Sequence, residues 1–266
     1  MLLHKPSKTV SDLRIASMAP NSSLGLGLKL LGPVLDKILG IDKLRKIYLR
    51  GDLSGLDKQT FSAKLLELLG VSVIGGPDIV SKIPKTGRCI VVCNHPYGMI
   101  EGIIIAYLLT KHRSDTKIMA NTGLSIFKEI NSYFIFANPL APKDPINISA
   151  IKACFKHVKN DGLLVIFPAG RVSHYQSSKQ RITDGDWNRL ATKIAVKTNS
   201  PILPIFISGT NSRLFHRMGR VYYRFRLLML AREMFKLSQH HIELSATQLV
   251  TSKQLNQFKS INKMND

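Results

Sequence analysis

From residue 87 onward the hydrophobic pattern of the chain switches between two periods. Short apolar or β-branched runs have the length and composition of strands: CIVVC (89–93), KIM (117–119), FIF (134–136), LLVIF (163–167) and ILPIFIS (202–208). Ile103–Leu109, Ile148–Val158 and Trp187–Lys197 read as helices between them. Ile151, Phe155 and Val158 make one apolar face of the middle helix, and Gly162 lies beyond its end. Strand–helix alternation predicts an α/β fold, a mixed β-sheet flanked by helices. Pro204 inside the run 202–208 predicts an edge strand or a bulge there, because proline donates no ladder hydrogen bond.

Upstream, between residues 24 and 70, the period is helical. In LGLGLKLLGPVLDKILGIDKLRKIYLR (24–50), Val34, Leu35, Ile38 and Leu39 recur at helical spacing, as do Leu44 and Ile47 after Gly40. Lys37, Lys43, Arg45, Lys46 and Arg50 sit among them. Such N-terminal amphipathic helices can lie in a bilayer interface or pack on the domain as a hairpin. Another helix is expected over Phe61–Leu69, stopped by Gly70. The organisation read from these patterns is a loose leader (1–23), a helical segment (24–70), a main domain (71–250) and a polar tail (251–266).

Composition adds a partner class. The chain has 266 residues, 44% of them hydrophobic, enough for a substantial core. Its 38 Lys and Arg against 17 Asp and Glu leave a net charge of +21, which predicts an anionic partner. An anionic membrane surface, an acidic carrier protein and nucleic acid would all serve. For nucleic acid there is no zinc knuckle, no aromatic RNP-like strand and no helix-turn-helix signature, so none is expected as a partner. Arg213, Arg217, Arg220, Arg224 and Arg226 alternate instead with large apolar residues, as suits lipid head groups or a packed helix. No run reaches the roughly 18 apolar residues of a spanning helix, and no signal-peptide pattern opens the chain. The expected location is cytoplasmic, peripheral on the inner face of the cell membrane. Cys89, Cys93 and Cys154 are an odd number, two of them in one strand, which argues for buried reduced thiols. No His, Cys or carboxylate spacing suggests a metal site.

Polar islands follow the strands. Asn94, His95, Pro96, Tyr97, Gly98 and Glu101 come directly after CIVVC. In α/β sheets ligands bind beyond the carboxyl ends of strands. A histidine there, oriented by a nearby carboxylate, suits general-base work; a satisfied turn histidine is the alternative. FPAGRVS (167–173) follows LLVIF and offers Gly170 amides and the Arg171 guanidinium to an anion, unless it is a plain surface turn. Gly209, Thr210, Asn211 and Ser212 follow ILPIFIS. No GxSxG, P-loop or GxGxxG is present, which removes support for serine hydrolases and nucleotide binders.

The order NHPYGMIEG, FPAGRVS, PILPIFISG resembles the lysophospholipid acyltransferase superfamily, which includes the 1-acylglycerol-3-phosphate acyltransferases. It is most similar to the bacterial hemolysin-like branch, with its acyltransferases of ornithine-lipid synthesis. The similarity runs from about residue 30 to about residue 250 and takes in GIDKLRKIY, ITDGDW (182–187) and GTNSRLF. It implies a fatty acyl group moved from acyl-carrier protein or acyl-CoA to the hydroxyl or amine of a lysolipid-like acceptor, with no bound cofactor. His95 is then the base and Glu101 its orienting acid, with Asn94, Gly98, Gly170, Arg171 and Ser173 around the substrate. Where the family has FPEGTRS, this chain has Ala169 for the glutamate and its arginine one place early, at Arg171. FIFANPL (134–140) has no arginine, and Asn138 falls about where one is found in the family. These departures point away from lysophosphatidate as acceptor and leave the acyl-transfer chemistry intact. A non-catalytic basic membrane-binding protein is the rival reading, and it gives no reason for His95 and Glu101.

Overall fold

The computed structural model describes residues 10–14, 23–139, 141–221, 225–237 and 240–257. Most of the expected leader, Tyr222 to Arg224 and the tail from 258 lie outside the described residues. In chain order the elements begin α1 (Ser23–Ile38), α2 (Ile41–Arg50), α3 (Lys58–Leu69), β1 (Ser72–Ile74), α4 (Gly76–Lys82), β2 (Cys89–Cys93) and α5 (Ile100–His112). They continue β3 (Lys117–Asn121), β4 (Phe134–Ala137), α6 (Pro145–Lys159), β5 (Leu163–Ile166), β6 (His174–Gln176), β7 (Arg181–Thr183) and α7 (Leu190–Thr198). The last are β8 (Ile202–Ile207), α8 (Arg213–Val221), α9 (Phe225–Lys236), β9 (His241–Ala246) and α10 (Ser252–Asn256).

These elements form two compact units. The sheet unit comprises Ser72–Thr122, Ser132–Thr210 and His241–Asp266. Its seven strands run in the order β1-β9-β8-β2-β5-β3-β4, with the short β6-β7 hairpin apart. β8, β2, β5, β3 and β4 are mutually parallel, and β9 runs antiparallel to β8, so the sheet is mixed, as expected. β2 and β5 are buried at every position, which is why both read as unbroken apolar runs. On one face Ile90, Val92, Leu164, Ile166 and Ile202 pack with Cys154 and Val158 of α6, Ala191, Ile194 and Ala195 of α7, and Leu255 of α10. α5 is apolar all round and buries Ile100, Ile103, Ile104, Ile105, Ala106 and Leu109. The free thiols of Cys89, Cys93 and Cys154 are buried too.

The edge half of one expectation fails. Pro204 lies in β8, between β2 and β9, opposite Val92. The irregularity half holds: the pairing Ile205 with Ala246 and the bridge Ile202 with Val250 differ in register by one residue, so the extra residue falls opposite Pro204. The Pro204 carbonyl accepts from Thr247 N, just past the end of β9, so the missing N–H faces a place where the β9 ladder has already stopped.

The helical unit comprises Met1–Val71, Gly123–Asn131 and Asn211–His240. α2 buries Ile41, Leu44 and Tyr48, and Tyr48 donates to Glu129 at 2.6 Å. α3 ends at Gly70, as read from the sequence, and starts three residues before the expected Phe61, where Asp57 caps it. Glu233 of α9 accepts from Ser212 N and Oγ and so caps the start of α8. α1 is different. Leu30, Leu31, Val34 and Ile38 are 56–74% exposed and share one stripe of the helix, while Asp36 on another side is buried. On α8, Arg213, Leu214, Arg217, Arg220 and Val221 are exposed. Among the described residues no helix is long and apolar enough to cross a membrane.

Candidate active site

The strand order β8-β2-β5 sets three parallel carboxyl ends side by side, and each leads into one of the polar islands. Asn94, first after β2, donates from Nδ2 to the Ile207 carbonyl at 2.8 Å and accepts from Ile207 N at 2.7 Å. Its side chain thus prolongs the β2–β8 pairing with both amide atoms, a role different from the substrate contact expected of it. Gly209 closes the same gap: a Cβ there would stand 1.7 Å from the Tyr97 hydroxyl. Its φ of +101° is also one that side-chain-bearing residues rarely adopt.

His95 and Glu101 meet. His95 Nδ1 lies 3.2 Å from Glu101 Oε1, with the histidine side chain 18% exposed and the glutamate fully buried. The approach is an ion-pair contact rather than an aligned hydrogen bond. Gly98, at φ +94°, turns the chain so that Tyr97 N and Gly98 N both donate to the same Oε1, at 2.5 and 2.9 Å. Glu101 belongs to the first turn of α5, where the helix dipole favours a negative charge. The five residues between His95 and Glu101 are therefore absorbed by a glycine turn and a helix start. The Phe167 ring leans on the imidazole, centroids 4.6 Å apart.

Burial lowers the proton affinity of His95. The Glu101 charge, its close approach and Asp184 outweigh that, and the pKa stands above its ordinary 6.5. Burial pushes Glu101 up, but the His95 charge and the N–H bonds from Gly98 and Tyr97 pull it down further, so its pKa falls below the usual value. The pair is an imidazole that readily takes a proton beside a carboxylate that stays ionised. A proton carried on Nδ1, the nitrogen nearer Glu101, leaves the Nε2 lone pair for an acidic proton.

The second island behaves in two halves. Ser173 is buried, its N donating to the His95 carbonyl at 2.8 Å and its Oγ to Asp184. Gly170 and Arg171 are exposed, and no hydrogen bond or ion pair joins either to His95 or Glu101. Asn138 is buried in a turn, bonded to Asn147 and Asp144. Among the described residues no three His, Cys, Asp or Glu side chains gather as metal ligands.

A sequence model of the acyltransferase family matches residues 56–263. The chain belongs to that family. Its membership agrees with the motif order that resembles the lysophospholipid acyltransferases. Two similar proteins are both named lyso-glycine lipid O-acyltransferase, one from Phocaeicola vulgatus and one from Bacteroides thetaiotaomicron. Each is 25% identical over 164 residues, 59% of this chain and 57% or 58% of the relative. The matched stretch therefore spans less than two thirds of those relatives.

Asp184, Phe167 and Trp187 also stand at this candidate site, and residue spacing did not single them out. Asp184 and Trp187 lie in ITDGDW, far along the chain from His95, and only the fold brings them together.

Proposed function

We propose that the protein is a lysolipid O-acyltransferase with His95 as general base. The observation that carries this reading is the 3.2 Å pairing of His95 with a fully buried Glu101 at the carboxyl end of an interior strand. In the reaction, the acceptor hydroxyl attacks the carbonyl carbon of an acyl thioester while its proton passes to His95 Nε2. The C–S bond then breaks, and the leaving thiolate takes that proton back from the imidazolium. Glu101 holds the ring by Nδ1 and stabilises the positive charge that forms. The thioester is already activated, so the scheme needs no acyl-enzyme and no metal or redox group. Acyl-carrier protein or acyl-CoA is the donor.

The names of the two relatives favour a hydroxyl acceptor and make lyso-glycine lipid the first acceptor to test. Arg171 is assigned to the anionic head group, for which an exposed planar guanidinium is suited. An amphiphilic acceptor calls for a bilayer. The apolar stripe of α1, with Lys37 beside it, and the arginines of α8 supply a surface for anionic lipid, in our reading at the inner face of the cell membrane. The test is purified protein with lyso-glycine lipid and palmitoyl-CoA or palmitoyl-acyl-carrier protein, with the product identified by mass spectrometry. The expected result is an added palmitoyl ester formed by wild type and lost in folded His95→Ala. Equal product from His95→Ala would end the base assignment.

A further inference from the structure

Asp184 is a second buried carboxylate at the site, and the scheme above does not use it. It is 8% exposed. Its Oδ1 accepts from His95 N at 3.1 Å and from Ser173 Oγ at 2.5 Å, and its Oδ2 accepts from Trp187 Nε1 at 3.0 Å. These donors come from the loop after β2, the loop after β5 and the segment after β7. Ser173 N donates in turn to the His95 carbonyl at 2.8 Å. His95 is thus gripped at both main-chain groups, by Asp184 on its N–H and by Ser173 on its carbonyl. All three partners of Asp184 donate hydrogen bonds, which suits an ionised carboxylate; an asparagine would have one acceptor oxygen and turn N–H groups toward at least one donor.

We infer that Asp184 is a positioning residue for the base, fixing the main chain of His95 and setting a second negative charge beside the ring that receives the proton. This rests on the base role of His95. Glu101 and Asp184 act on the ring, Cys93 faces both carboxylates and Tyr97 faces Glu101. Burial pushes the Cys93 thiol far up, and burial together with Glu101 raises Tyr97, so both stay neutral at working pH. Glu101 and Asp184 are then the charges that set the proton affinity of His95, in agreement with the causes of its raised pKa.

The deciding measurement needs no substrate. NMR titration of 13C-labelled imidazole, assigned with His95→Asn, is expected to give a lower midpoint for His95 in Asp184→Asn than in wild type, with Asp184→Glu returning toward wild type. Coincident midpoints in wild type and Asp184→Asn would overturn the inference. In the palmitoyl-CoA and lyso-glycine lipid assay, Asp184→Asn is expected to lower kcat by about 10- to 100-fold and to change the acceptor KM by less than about 3-fold. Trp187→Phe added to Asp184→Asn removes the opposed donors, and it is expected to recover melting temperature without recovering the titration midpoint. Full recovery of midpoint and rate in that double variant would make Asp184 merely structural. Should Asp184→Asn not fold, Ser173→Ala keeps the charge and removes one anchor. There kcat is expected to drop a few-fold with the midpoint unmoved, and an unchanged kcat would overturn the positioning role. An active His95→Ala would sink the base reading itself. An inactive His95→Ala with an unmoved midpoint in Asp184→Asn would sink this inference alone.

Discussion

Replacing Glu101 by glutamine isolates one charge. The glutamine carbonyl can stand where Oε1 now accepts from Tyr97 N and Gly98 N and faces His95 Nδ1, so shape and acceptor are kept. What disappears is the negative charge 3.2 Å from the ring. At an effective dielectric of about 20, that separation gives about 5 kcal/mol between two full charges. The neutral imidazole of the resting base gains little of this. A transition state with the proton about half transferred gains about half, or 2–3 kcal/mol, so Glu101→Gln should lower kcat by about 10²-fold. The pH profile should move as well. The proposed base works only as the neutral imidazole, so kcat/KM should fall as pH drops through its pKa, which in the wild type lies above 6.5. Without the Glu101 charge that limb should shift to lower pH while the plateau falls. The pair also leaves a signature in stability. His95 is raised, so its contribution is whole below 6.5 and lost as pH climbs through the folded value. Glu101 is lowered, so its contribution is whole above 4.5 and lost as pH falls through its folded value. The stability that the pair adds should therefore be fullest between those pH values. The assay is initial rates of thiol release from palmitoyl-CoA with lyso-glycine lipid between pH 5 and pH 9, with melting curves of the same samples. A folded Glu101→Gln with wild-type kcat and an unmoved acid limb would refute the reasoning.

Three further outcomes follow from other parts of the molecule. Arg171→Lys should raise the acceptor KM and spare the donor KM, because an ammonium cannot copy the planar fork of guanidinium; equal effects on both would show a surface arginine unconnected with the head group. Gly209→Ala should destabilise by about 1–3 kcal/mol from backbone strain alone, and the displaced Tyr97 should disturb the N–H groups that hold Glu101, so activity should fall further than a denaturant midpoint explains. Co-sedimentation should show stronger binding to anionic than to neutral vesicles and only partial release by high salt, since charge is screened and burial is not; Leu30→Ser/Val34→Ser/Ile38→Ser should remove the salt-resistant part, and unchanged binding by this triple variant would clear α1 of a membrane role.

Much of this protein is written in local pattern. Cys89–Cys93 and Leu163–Ile166 are readable as strands because burial on both faces leaves no polar position to hide them. Asp57 and Gly70 mark the bounds of α3 by capping chemistry that needs no distant partner. His95 and Glu101 were also legible, since both lie in one strand-to-helix connection and their chemistry is local. Pro204 was legible only in part: it announces an irregular ladder, but whether that is an edge or an interior slip depends on what its missing N–H faces, here the register break past the end of β9. Nor were the two faces of α1: its apolar period predicts a helix, but only packing separates buried Asp36 from exposed Leu30, Leu31, Val34 and Ile38. Asn94 and Ser173 could be placed near the site from their positions, yet their partners, Ile207 and Asp184, come from remote segments. Asp184 shows the limit most plainly. ITDGDW marks its segment but not its partners: Trp187 is three residues away, whereas His95 and Ser173 reach it only because strand order sets β2 and β5 side by side. Hydrophobic period and capping act over a few residues, so the sequence alone determined elements and the placing of His95 and Glu101 in one connection; a buried carboxylate collects its donors through space, so the tertiary structure alone decided what holds those two residues in place.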